Sequence, residues 1–81
     1  MVIGATIMTE KEFLSEVQEL LQTDEVLSMD THLPSLADWD SLSIMAMMAF
    51  LERNFGAKTT MADYKNIKDL REIVKMANIT L

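Results

Sequence analysis

The sequence has no cysteine, one proline, two glycines and one histidine in 81 residues. Without cysteine the chain has neither a disulfide framework nor a thiolate that could hold zinc or act as a nucleophile. So few glycines and prolines leave little material for the tight turns of hairpins. A hydrophobic fraction of 49% argues against disorder. We therefore expect one small all-α domain that depends on helix packing for its stability.

Basic residues are also scarce, since 7 Lys and Arg stand against 13 Asp and Glu for a net charge of −6. This balance argues against nucleic acid and anionic membrane as main partners. Residues 23–40 contain five acidic residues and no Lys or Arg, whereas residues 55–81 contain five basic and three acidic residues. A solvated acidic loop is the simplest interpretation of residues 23–40.

The N-terminal stretch "MVIGATIM" has no basic n-region and is too short to span a membrane. We expect no signal or anchor, a cytoplasmic location, and a poorly ordered extension over residues 1–8 before a domain at 9–81. Met8 is an alternative start.

Two main helices are predicted in the first two thirds of the chain. Thr9 and Glu12 form a capping box for a helix at about 9–22, and Asp40 caps a helix at about 41–54 that ends near Gly56. The predicted core positions are, in the first helix, Phe13, Leu14, Val17, Leu20 and Leu21, and in the second, Ile44, Met47, Met48, Leu51 and Phe55. Leu42, Met45 and Ala49 lie on another face of the second helix. Because this helix is apolar almost all round, it is either deeply buried or carries a surface that a partner uses.

The predicted fold has three further elements. They are a long loop at about 23–40, a short helical turn at 61–65 and a last helix. The loop has apolar anchors at Val26, Leu27, Leu33, Leu36 and Trp39. Asn66 followed by Asp69 resembles a cap for the last helix, whose apolar positions are Ile67, Leu70, Ile73, Val74 and Ala77. The predicted fold is a small four-helix bundle, with three main helices, a short third helix and a long loop between helices I and II.

Few residues here are suited to catalysis. His32 is the only histidine, and its spacing leaves a pair with Ser41 open, but no G-x-S-x-G elbow, EF-hand pattern or glycine-rich phosphate loop is present. We expect no catalytic residue, no metal and no enzymatic activity of the chain's own.

Ser41 stands out because an Asp40 cap would place it on the first turn of the second helix with its hydroxyl exposed. From "DTHLPSLADWDSLS" through "FLERNFG" to "NIKDLREIV", residues 9–78 resemble acyl carrier proteins and peptidyl carrier domains. The resemblance implies that Ser41 carries 4′-phosphopantetheine, transferred from coenzyme A by a phosphopantetheinyl transferase, and that Asp40 contacts this transferase as well as capping the helix. The thiol of that arm would hold an acyl or aminoacyl group as a thioester.

The resemblance further implies a monomer whose partner surface comprises Leu42, Met45, Ala49 and Glu52. Its partners would be an acyl- or aminoacyl-loading ligase and downstream acyl-transferring enzymes. Ser43, Ala46 and Arg53 stand where fatty-acid-synthesis carriers typically have acids, and the stretch from Phe55 to Ile67 is short. These departures favour a specialised biosynthetic pathway over bulk fatty-acid synthesis.

A second hypothesis is an unmodified helical adaptor. Such a protein would bind a partner helix through the apolar face of the second helix, at Leu42, Met45 and Ala49. It would accept no phosphopantetheine.

Overall fold

A computed structural model describes residues 8–81 of the chain. Within these residues the chain forms three α-helices, α1 (Glu10–Leu21), α2 (Ser41–Phe55) and α3 (Leu70–Ala77), and two 3₁₀ turns at Leu33–Ser35 and Met61–Tyr64. No strand occurs within residues 8–81, so the predicted all-α class is confirmed. The expectation of poor order concerns residues 1–8, of which 1–7 lie outside the described part; Met8 is buried against the core.

Local capping groups set the ends of α1 and α2. The Glu12 amide donates to Thr9 Oγ1 at 3.1 Å, and the Thr9 amide donates to the Glu12 carboxylate at 2.9 Å. Asp40 caps α2, and Gly56 ends it in the left-handed region at φ 69°, a conformation that glycine adopts without steric cost. These ends agree with the sequence predictions to within one or two residues, the range over which helix assignments normally differ.

The start of α3 differs from the prediction. Asp69 is its N-cap and accepts from the Glu72 amide at 2.9 Å. The helix begins at Leu70, so the predicted cap at Asn66 is wrong and Ile67 lies before the helix. Ile67 still packs, partly buried, against the core.

The core is formed by one face from each helix together with side chains of the long connection between α1 and α2. The predicted stripe of α2 omitted Phe50, which is buried and packs its ring near those of Phe13 and Phe55 at centroid distances of 6.0 and 6.2 Å. Val26 was predicted to anchor the connection but is 93% exposed, whereas Met29 is buried. The side chains with no appreciable exposure are Phe13, Val17, Leu33, Met47, Leu51, Leu70 and Ile73.

The connection between α1 and α2 is attached to the start of α3. The Leu33 amide donates to the Lys68 carbonyl at 2.8 Å, and the Arg71 amide donates to the Met29 carbonyl at 3.1 Å. Arg71 also forms an ion pair with Asp30 at 2.8 Å. Both side chains of this pair are exposed, so it adds little stability. The backbone bonds satisfy one of the free N–H groups of the helix N-terminus and fix the course of the connection.

The 3₁₀ turn at Met61–Tyr64 occupies the place of the predicted short third helix. Tyr64 is buried within it, and its hydroxyl shares a 2.8 Å hydrogen bond with Thr59. Burial raises the pKa of the Tyr64 hydroxyl above its ordinary value. The Tyr64 ring lies 6.4 Å from that of Trp39, which directly precedes Asp40. The turn therefore supports the segment that leads into α2.

Candidate functional site

The start of α2 is held by a reciprocal capping box between Asp40 and Ser43. The Ser43 amide donates to Asp40 Oδ1 at 3.0 Å, while the Asp40 amide donates to Ser43 Oγ at 2.8 Å. The Ser43 hydroxyl in turn donates to the Asp40 carbonyl at 3.0 Å. Trp39, two residues before Ser41, is half-buried and packs against the core. Ser41 is thus the first residue of a rigidly started helix.

Ser41 itself is exposed and takes no part in this network. Within residues 8–81 its hydroxyl makes no hydrogen bond, and the amides of Ser41 and Leu42 have no acceptor. Free N–H groups on the first turn of a helix, together with the positive end of the helix dipole, favour an anionic group such as a phosphate. The first turn of α2 therefore offers a reachable nucleophilic oxygen beside two free donors.

The neighbouring serines are placed differently. Ser43 is buried and fully used by the capping box. Ser35 shares a 2.7 Å hydrogen bond with His32 Nδ1. The pairing of His32 with Ser41 that the spacing left open is not formed, because no hydrogen bond joins these two side chains within residues 8–81. In the part of the chain that the structure describes, no group of three or more His, Asp or Glu side chains is placed to hold a metal ion.

The residues predicted to form a partner surface lie along one exposed side of α2. Leu42 is 76% exposed and Met45 is 55% exposed. Ala49 and Glu52 are exposed as well, and the spacing of the four places them on a common side of the helix. Leu42 and Met45 are thus available for contact with another molecule. Met47, two residues after Met45, faces the core and is fully buried.

Sequence reasoning missed the role of Ser43. The sequence interpretation placed Ser43 where an acid was expected and treated it as a rival attachment residue, whereas in the structure it supplies the side chain of the capping box. The D-x-x-S spacing was the available signal, since the box needs a side-chain acceptor three residues after the N-cap.

Removal of the Ser43 hydroxyl should weaken the start of α2. We expect Ser43→Ala to lower the free energy of unfolding by about 1–2 kcal/mol, because the Asp40 amide loses its acceptor. Ser15→Ala, at an exposed position of α1, is the matched control and should change stability by less than about 0.5 kcal/mol. Urea unfolding followed by circular dichroism measures both. Equal stability of the two variants would show that the box contributes nothing.

No helix within residues 8–81 has the length and apolar character that crossing a bilayer requires.

The family model for the phosphopantetheine attachment site matches residues 11–77. No curated protein and no solved structure matches the chain significantly. The family match covers most of the chain and includes α2, α3 and all of α1 except Glu10. The chain belongs to the family of acyl and peptidyl carrier proteins, whose domains carry a 4′-phosphopantetheine prosthetic group.

Proposed function

We propose that Ser41 is the attachment residue and that the protein holds an acyl or aminoacyl group as a thioester on the attached arm. The observation that carries this proposal is the exposed Ser41 hydroxyl on the first turn of α2, which makes no hydrogen bond to any residue between 8 and 81. Ser35 and Ser43, the nearest rivals, are both hydrogen-bonded. The described residues fit the group, because a phosphate on Ser41 would lie beside the free amides of Ser41 and Leu42.

The chain's own residues serve to position and present the group. Asp40 fixes the start of α2 through the Ser43 amide, which keeps the Ser41 hydroxyl at a defined place in front of a transferase. We assign Asp40 a direct contact with that transferase as well. When bound, the arm supplies the reactive thiol that this cysteine-free chain lacks.

Partner enzymes would dock on Leu42, Met45, Ala49 and Glu52, next to the attachment residue. The exposure of Leu42 and Met45 supports this surface, since large apolar side chains at the centre of an interface supply much of its binding energy. We infer that the surface serves the phosphopantetheinyl transferase, a loading ligase and downstream acyl-transferring enzymes.

We further propose a specialised biosynthetic role. α2 carries one acid, Glu52, followed by a base, Arg53, so the helix has no net side-chain charge. Enzymes with strongly basic docking patches would gain little from such a helix. A dedicated set of partners that relies on apolar contact fits this surface better.

Intact-mass spectrometry tests the proposal directly. The chain is incubated with coenzyme A and a broad-specificity phosphopantetheinyl transferase, and a carrier gains the mass of one phosphopantetheine. An adaptor that binds a partner helix through Leu42, Met45 and Ala49 gains nothing. The unchanged mass would therefore favour the adaptor hypothesis.

A further inference from the structure

Methionine is abundant in this chain, and its side chains differ widely in exposure. The chain contains 8 methionines. Those that are buried or partly buried within residues 8–81 are Met8, Met29, Met47, Met48 and Met76. By contrast, Met45 is 55% exposed and Met61 is 42% exposed. In this part of the chain, a reagent in solution therefore reaches the sulfur atoms of Met45 and Met61 without any opening of the fold.

Met45 lies in the surface that we assign to partner docking, one helical turn after Leu42. Leucine and methionine are similar in volume and nearly equal in helix propensity. Neither packing nor helix formation therefore requires a thioether at this exposed position of α2. The two side chains differ in their chemistry, because the methionine sulfur accepts oxygen from oxidants and the leucine side chain does not. Met45 thus makes the docking surface sensitive to oxidation in a way that a leucine would not.

We propose that Met45 is a modification site, at which a hydroperoxide converts the thioether to methionine sulfoxide and thereby weakens partner docking. This inference rests on the proposed carrier function and adds regulation to its docking surface. In the reaction with hydrogen peroxide, a sulfur lone pair attacks one peroxide oxygen, so that an S–O bond forms and the O–O bond breaks. The transferred oxygen passes its proton to the departing oxygen, which leaves as water. The sulfur is oxidised and the peroxide is reduced.

The sulfoxide changes the docking surface and leaves the core as it is. At an exposed position the S–O group stays hydrated, and the capping box that precedes the first turn of α2 involves only Asp40 and Ser43. When a partner covers Met45, the sulfoxide oxygen loses its water in an interface that suits an apolar side chain. A buried acceptor without a donor weakens an association by about 5- to 30-fold. Methionine sulfoxide reductases restore the thioether, so the modification is reversible.

Peptide mapping by mass spectrometry, after limited treatment of the chain with hydrogen peroxide, tests which methionines are modified. The chain without the arm is used, because the thiol of an attached arm would itself be oxidised. Oxygen should appear first on Met45 and Met61. Met29 and Met47 should stay unmodified as long as circular dichroism shows a native fold. Uptake of oxygen by Met29 or Met47 ahead of Met45 in the folded chain would overturn the proposal.

Two matched variants separate Met45 from the other exposed methionine. Met61→Leu keeps the Met45 sulfur and Met45→Leu keeps the Met61 sulfur, and each variant is compared with itself before and after peroxide treatment. Intact mass measures how fast a phosphopantetheinyl transferase loads the chain, over a range of chain concentrations and after the peroxide has been removed. Treatment should raise the KM for Met61→Leu by about 5- to 30-fold and leave kcat unchanged. Treatment should leave the KM for Met45→Leu unchanged.

Three results would refute the proposal. An equal rise of KM in both treated variants would place the effect outside Met45, and no rise in treated Met61→Leu would show that the sulfoxide does not disturb docking. A rise that persists after methionine sulfoxide reductases for both epimers have removed the oxygen would indicate damage to the fold instead. The untreated chain tests the carrier function separately, because a chain that accepts no phosphopantetheine before treatment refutes that function whatever the state of Met45.

Discussion

Replacement of Ser41 by alanine should abolish phosphopantetheine attachment and leave the fold intact. The hydroxyl is exposed and makes no hydrogen bond within the described residues, while the capping box of α2 depends on Asp40 and Ser43. We expect the free energy of unfolding to change by less than about 0.5 kcal/mol. Intact mass after incubation with coenzyme A and a transferase reports attachment, and thermal unfolding by circular dichroism reports the fold.

The rival serines supply the controls for this experiment. Ser35→Ala removes only the hydrogen bond to His32 and should accept phosphopantetheine as the wild type does. If the Ser41→Ala variant still gains the mass of the group, another residue is the attachment residue, and peptide mapping would then locate it.

Helix ends were predictable where the capping signal is local. Three capping signals act through bonds or dihedral angles within a few residues: the pair Thr9 and Glu12, the cap Asp40, and Gly56. The sequence alone therefore contains the relevant information. The exposure of Ser41 follows from the same reasoning, since a cap at Asp40 places the next side chain on the first turn.

The start of α3 was not predictable in this way. Asn66 and Asp69 are both good caps, and the local pattern does not choose between them. Distant contacts make the choice, because the carbonyl of Lys68 accepts from Leu33 and the amide of Arg71 donates to Met29. Both bonds require the chain to become helical only after Lys68.

Burial at single positions also depended on tertiary structure. Phe50 is buried because its ring packs between those of Phe13 on α1 and Phe55, an arrangement set by how the helices cross. In the connection before α2, no helical period distinguishes Val26, which is 93% exposed, from Met29, which is buried. The course of the connection decides this, and α3 fixes that course.

Met47→Glu should destabilise the fold strongly and Met45→Glu only slightly, although the two positions lie two residues apart in α2. Met47 has no exposure, so Met47→Glu buries a carboxylate without a partner. We expect a loss of about 3–5 kcal/mol. A domain of 81 residues has a total stability of about 4–12 kcal/mol by the usual value per residue. Met47→Glu should therefore remove a large part of this stability and move the midpoint of urea unfolding well below that of the wild type.

Met45→Glu should keep the fold and weaken partner transfer. Met45 is 55% exposed, so its glutamate remains in water and stability should change by less than about 1 kcal/mol. The apolar contact beside Leu42 is lost, and a loading or transferring enzyme should act on the variant more slowly. Met45→Gln separates the effect of charge from that of shape. Urea unfolding of Met45→Glu and Met47→Glu side by side decides the assignment of faces, because similar large losses of stability in both would place Met45 in the core and remove it from the docking surface.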